Sequence, residues 1–86
     1  MVFTYTPHGV CSRQIRIELE DGVVKDLSFL GGCHGNLQGI SALVTGRSAR
    51  EVIPILRGIN CNGKGTSCPD QLSYALEEAI KAEQAG

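Results

Sequence analysis

The chain has 86 residues, enough for a single domain over residues 1–86 with one modest core. A net charge of −1 and a pI near 6.0 exclude the basic surface with which proteins capture nucleic acids or anionic membranes. No apolar run would span a membrane, and the N-terminus lacks the basic and apolar segments of a signal peptide. We therefore expect a cytoplasmic protein.

The first 30 residues predict three strands. Residues 2–6 are β-branched and aromatic and stop at Pro7, which predicts a short first strand. Residues 13–20 alternate between apolar and polar side chains, as in a half-buried strand, and a third strand follows over residues 23–30. The core-facing side chains of the second strand are Ile15, Ile17 and Leu19.

The loop Glu20-Asp21-Gly22 allows two registers for the second and third strands. A two-residue Asp-Gly turn sets Ile17 opposite Asp26 and mixes core with solvent faces. A three-residue loop with a left-handed Gly22 avoids this, and we predict that loop. It pairs Leu19 with Val23, Ile15 with Leu27 and Arg16 with Asp26. In either antiparallel hairpin, Cys11 and Cys33 emerge at the same end of the sheet.

Three helices follow, predicted over about residues 36–45, 48–57 and 68–83. Asn36 caps the first and Gly46 ends it, while Ser48 and Glu51 form a capping-box pattern at the second. Pro54 inside the second helix predicts a kink or two short turns. We expect the tail from residue 83 to 86 to fray.

The last helix has a clear start signal. Thr66 or Ser67 supplies the capping oxygen, Pro69 suits the first turn, and the Asp70 carboxylate lies at the positive end of the helix dipole. Cys68 therefore sits at a helix N-terminus, a position that favours a thiolate over a thiol. A thiolate is the form that binds a metal or attacks a disulfide.

Four cysteines are more than so short a chain needs for its core. Without a secretory signal, this count is more typical of metal or redox chemistry than of structural disulfides. All four fall in predicted loops or at helix starts, among glycines, and this placement favours a shared metal site. The candidate ligands are Cys11, Cys33, Cys61 and Cys68.

Other readings of these cysteines stay open. The spacing is not that of a zinc finger, because only Cys61 and Cys68 are close in sequence, and glycine-rich loops with bystander cysteines would give a similar pattern. His8 and His34 are possible substitutes for one sulfur. Cys61 and Cys68 are also a possible redox pair.

The residues Thr66-Ser67-Cys68-Pro69-Asp70 resemble the signature of the TSCPD domain family. The stretches 29–36 and 58–61 are similar to further segments of that family, so the resemblance covers nearly the whole chain. The family includes small stand-alone proteins and a C-terminal module of adenosylcobalamin-dependent ribonucleotide reductases. The resemblance therefore implies a possible link to deoxyribonucleotide synthesis.

A weaker resemblance is to iron–sulfur cluster assembly scaffolds of the IscU and NifU type. Their order of elements is similar to that of Cys11, Cys33, Gly46-Arg47 and Cys68 here. The chain departs from the scaffolds at Arg13, where they carry Asp, and at Ser67, where they often carry His. Cys61 has no counterpart there, and four-sulfur ligation suits structural zinc or a stable cluster better than a cluster that is passed on.

Together these observations predict an α+β, IscU-like domain: a three-stranded antiparallel sheet with three helices on one face. The leading hypothesis is a metal-binding module with zinc or an iron–sulfur cluster as cofactor. The alternatives are a redox accessory of ribonucleotide reductase and a structural interaction domain. The expected partners are ribonucleotide reductase or iron–sulfur and thiol machinery, with no nucleic acid and no membrane. The chain is too short to be a complete reductase.

Overall fold

The computed structural model describes residues 1–32, 34–60, 63 and 65–85, and of His34 it describes the backbone alone. The predicted α+β architecture is confirmed: an antiparallel sheet of order β1-β2-β3 is followed by three helices. The strands are β1 (Val2–Tyr5), β2 (Ser12–Glu20) and β3 (Val23–Gly31). The helices are α1 (His34–Val44), α2 (Ala49–Leu56) and α3 (Cys68–Ala85).

One face of the sheet forms the core. Ile15, Ile17 and Leu19 of β2 are fully buried, as the alternating pattern predicts, and α3 meets them with Leu72 and Leu76. Burying each of these side chains contributes about 1.5–3 kcal/mol. The packing of α3 on β2 brings the N-terminal end of the last helix to the sheet, and the candidate site lies there.

The hairpin between β2 and β3 differs from the predicted register. Asp21 and Gly22 both have positive φ, 52° and 78°, and form a two-residue turn that sets Glu20 opposite Val23. The three-residue loop was therefore the wrong choice. Lys25 forms a bulge, because Leu19 pairs with Val24 whereas the next residue, Glu18, pairs with Asp26. Beside the bulge, apolar side chains therefore lie opposite apolar ones and charged side chains opposite charged ones.

The bulge also changes the cross-strand pairs beyond the turn. Ile17 lies opposite Leu27, and Ile15 lies opposite Phe29 instead of Leu27. Arg16 lies opposite Ser28, yet its Nη1 approaches Oδ2 of Asp26 at 3.7 Å, so the expected ion pair forms on the diagonal. Both side chains are about half exposed or more, and this pair contributes little stability.

The helices follow the prediction with local corrections. α1 begins at His34, before the predicted cap at Asn36. Ser48 does occupy the N-cap of α2 but makes no capping hydrogen bond with its side chain, so the capping box is only half correct. α2 runs through Pro54 as one helix and not as two short turns.

The C-terminal end of α3 is ordered further than predicted. The helix continues to Ala85, and Oε1 of Glu83 accepts a hydrogen bond from the Gly22 N–H at 2.9 Å. This bond ties the last helix to the β2–β3 turn and explains why residues 83–85 stay helical. Within the described part of the chain, no helix has the length and apolar character needed to cross a membrane.

Candidate functional site

Two cysteines meet where β2 and α3 begin. The Sγ atoms of Cys11 and Cys68 are 3.9 Å apart, although the residues are 57 positions apart in sequence. Cys11 is exposed, whereas Cys68 is buried with an exposed fraction of 8%. One sulfur therefore faces solvent, and the other lies directly behind it.

Cys68 is the first residue of α3, as predicted. Oγ of Ser67 accepts a hydrogen bond from the Asp70 N–H at 3.1 Å, so Ser67, and not Thr66, is the capping residue. The Ser67 hydroxyl also donates to the carbonyl oxygen of Ile59 at 2.6 Å. The cap thus fixes the start of the helix and holds the end of the preceding loop beside it.

Ser12 is a member of the site that the sequence did not reveal. The strand pattern would turn Arg13 toward the core, but Ser12 pairs with Gly31 and Gln14 with Leu30, which leaves Arg13 in a bulge. Ser12 is turned inward as a result, with an exposed fraction of 2%, and its Oγ lies 3.2 Å from Sγ of Cys68. Bulges of this kind re-aim side chains near sites, and the alternating pattern gives no signal for them.

The end of β3 passes directly beside Cys11. Gly32 has φ +86°, and a Cβ there would lie 3.3 Å from Sγ of Cys11 and 2.8 Å from Cδ1 of Leu37. Only glycine permits this approach without strain. The prediction that the start of the second strand and the end of the third meet at one end of the sheet is confirmed. Cys33 follows Gly32 in sequence and is outside the described residues.

A buried carboxylate holds both ends of the loop before α3. Asp70 has an exposed fraction of 5%, and its Oδ1 accepts a hydrogen bond from the Gly58 N–H at 2.7 Å. Its Oδ2 accepts one from the Thr66 hydroxyl at 2.6 Å. Oδ1 of Asn60 accepts a further hydrogen bond from the Gly65 N–H at 2.8 Å. The described residues on both sides of Cys61 are therefore fastened to the start of α3.

A largely apolar groove of about 490 Å³ opens onto the two sulfurs. Cys11 and Cys68 line it together with Leu37, Ile40 and Leu43 of α1. Leu43 is 69% exposed. The groove therefore lies between the sulfur pair and α1.

A family model for the TSCPD domain matches residues 2–80. The chain belongs to the TSCPD domain family. Comparison with curated proteins and comparison with solved structures each gave no match. The likeness to iron–sulfur scaffolds therefore stays a prediction from sequence.

The structure gives the signature of this TSCPD domain a physical meaning. Thr66 binds the Asp70 carboxylate, Ser67 caps the helix, and Asp70 anchors the preceding loop. Pro69 occupies the first helical turn, where its missing N–H has no intrahelical acceptor to lose. Four of the five residues thus hold the fifth, Cys68, in place.

The remaining candidate ligands of the TSCPD domain are described only in part. Cys33, Cys61 and the side chain of His34 lie outside the described residues. His8 is exposed, and its backbone N–H donates to Oε1 of Gln71 at 2.9 Å, which places His8 beside the first turns of α3. In the described part of the chain, no three His, Cys, Asp or Glu side chains form a metal-binding cluster.

Proposed function

We propose that this TSCPD domain is a small metal-binding module in which Cys11 and Cys68 ligate the same metal ion, with Cys33 and Cys61 as the other ligands. The observation that carries the proposal is the 3.9 Å distance between the Sγ atoms of Cys11 and Cys68. Zinc binds cysteine sulfur at about 2.3 Å with tetrahedral geometry, which sets two ligand sulfurs about 3.8 Å apart. The observed spacing fits one shared metal ion without rearrangement.

The 3.9 Å distance between the two sulfurs also favours a single metal ion over a four-iron cluster. In a four-iron cluster each cysteine ligates a different iron atom, so the ligand sulfurs stand further apart than two sulfurs on one ion. Zinc is therefore the preferred metal. A two-iron cluster is the alternative, because each of its iron atoms carries two cysteines.

The described residues that neighbour Cys33 and Cys61 in sequence support a four-sulfur site. Gly32, which precedes Cys33, lies so close to Cys11 that an added Cβ would be 3.3 Å from the Cys11 sulfur. Ile59, close before Cys61, is hydrogen-bonded to Ser67, the residue before Cys68. Four-cysteine ligation without an open position is typical of structural zinc. Such a site would join the start of β2, the end of β3 and the start of α3, and its binding energy would add to folding energy.

Metal analysis of the purified protein tests this proposal. Protein prepared without oxygen should contain one zinc ion per chain by elemental analysis, or iron together with visible absorption if a cluster is bound. Cobalt added to metal-stripped protein should give thiolate-to-cobalt charge-transfer bands. Cys11→Ser and Cys68→Ser should each lower the metal content, whereas Ser28→Ala, an exposed hydroxyl change on β3, should not.

One outcome would defeat the metal proposal. A well-folded protein that contains no metal, takes up neither zinc nor cobalt, and has all of its thiols open to titration would show that the cysteines serve another purpose. Circular dichroism on the same samples separates this outcome from loss of metal through unfolding.

A further inference from the structure

We propose that Cys11 and Cys68 form a dithiol–disulfide couple that exchanges with the disulfide of a partner protein. The pairing of Cys68 with Cys11 differs from the pairing with Cys61 expected from sequence proximity. This activity goes beyond the proposed metal site, and because it uses two of the same sulfurs it belongs to the metal-free protein.

The geometry suits formation of this disulfide. A disulfide bond is about 2.05 Å long, so sulfurs 3.9 Å apart must approach by about 1.9 Å. Cys11 lies on an exposed turn before β2, whereas Cys68 is held in the first turn of α3. The movement therefore falls on Cys11, and the helix stays in place.

The difference in exposure assigns the two sulfurs different roles. A bulky disulfide can reach the exposed Cys11 but not Cys68, which is 8% exposed. Cys11 is therefore the attacking residue and Cys68 the resolving residue. Oγ of Ser12, at 3.2 Å from Sγ of Cys68, is placed to donate a hydrogen bond to that sulfur when it bears negative charge.

The exchange proceeds in two displacements. The Cys11 thiolate attacks one sulfur of the partner disulfide, which forms a mixed disulfide and releases the first partner sulfur as a thiolate. The Cys68 thiolate then attacks Sγ of Cys11, which forms the Cys11–Cys68 bond and releases the second partner sulfur. Two electrons pass from the domain to the partner, and the protons of the two cysteine thiols end on the two partner thiols.

Peptide mapping tests the pairing, with glutathione disulfide as the probe. Trypsin places the four cysteines in four different peptides, 1–13, 26–47, 58–64 and 65–81. Metal-stripped protein is treated with the probe, quenched in acid, alkylated, digested and analysed by mass spectrometry. The expected product is peptide 1–13 linked to peptide 65–81, and Cys61→Ser should still give it.

Two variants test the order of events. Cys68→Ser should accumulate glutathione on Cys11, because the resolving sulfur is missing. Cys11→Ser should react at Cys68 at least roughly tenfold more slowly, because a buried sulfur meets the probe poorly. Wild-type protein incubated with zinc should oxidise more slowly than metal-stripped protein if both proposals hold, and at the same rate if only the exchange proposal holds.

A link between peptides 58–64 and 65–81 in wild-type protein would overturn the proposed pairing. Modification of Cys68 ahead of Cys11 would overturn the assigned roles, and failure of the wild-type protein to form any disulfide would overturn the activity. If Cys68→Ser does not fold by circular dichroism, the time course of mixed disulfide on wild-type Cys11 replaces it as the test of order.

Discussion

Replacing Gly32 with alanine tests how closely the end of β3 packs against Cys11. A Cβ at this position would lie 2.8 Å from Cδ1 of Leu37, 3.2 Å from the backbone nitrogen of Ser12 and 3.3 Å from Sγ of Cys11. Gly46 is a matched control, since its φ of +91° resembles the +86° of Gly32 and a Cβ there meets nothing within 4 Å. Both substitutions place alanine in a left-handed backbone conformation, but only Gly32→Ala also introduces close contacts.

The expected loss of stability is the sum of a backbone cost and a cost of close contacts. A left-handed backbone conformation costs alanine about 1–2 kcal/mol, which is the whole effect expected for Gly46→Ala. Overpacking costs typically about 1–3 kcal/mol. Leu37 can yield at the end of its side chain, but the Ser12 nitrogen belongs to a paired strand and cannot. We therefore expect Gly32→Ala to exceed Gly46→Ala by about 1–2 kcal/mol.

Urea unfolding followed by far-UV circular dichroism measures both variants on metal-stripped protein. In a thermal scan, each kcal/mol corresponds to a shift of roughly 4–8 °C for a domain of this size. Equal destabilisation by the two substitutions would refute the reasoning, because it would mean that the backbone beside Cys11 has room for a methyl group.

Three further changes test other parts of the structure. Asp70→Asn, which weakens the buried anchor of the Gly58 N–H, should lower the free energy of unfolding in urea by about 1–3 kcal/mol, while exposed Asp26→Asn should change it by less than about 0.5 kcal/mol. Burial, followed by nearby negative charges, raises the pKa of Tyr5 above its usual 10.0, so the neutral phenol is favoured in the folded state. The stability that the raised pKa contributes is complete below the usual value of 10.0 and is lost as the pH rises through the folded pKa. Between about pH 9 and 11, Tyr5→Phe should therefore lose less stability than the wild-type protein. An equal loss in both proteins would contradict this explanation. Deleting Lys25 removes only the inserted residue and leaves the other pairs of the hairpin in place, so this variant should still melt cooperatively. Deleting Ser28 turns Phe29 to the opposite face and should lower the melting temperature; equal melting of the two deletion variants would contradict the register.

The hairpin shows how far sequence patterns reach and where they stop. Alternation of apolar and polar residues correctly placed Ile15, Ile17 and Leu19 in the core. The same pattern could not locate the bulge at Lys25, because a two-residue period contains no information about an inserted residue. The register was therefore wrong, and Val24 faces the core where Val23 was predicted to, even though the strands and the buried face of β2 were right.

The candidate site also contains residues that the sequence predicted and residues that it did not. Cys68 at a helix N-terminus followed from local capping chemistry, because Ser67 and Asp70 act within the first turn of their own helix. The sequence pattern did not predict Ser12 as a site residue, because its inward orientation depends on the bulge at Arg13. Metal ligation by Cys11, Cys33, Cys61 and Cys68 remains a prediction.

The sequence by itself determined the strands, the helices, the family and the antiparallel hairpin that brings the start of β2 beside the end of β3. These features depend on residues close together in the chain, where propensity, capping and alternation act. Only the tertiary structure decided that Cys11 meets Cys68 across 57 positions, with one sulfur exposed and the other buried. That contact depends on how α3 packs against β2, and packing between distant segments is set by the shapes of both surfaces together.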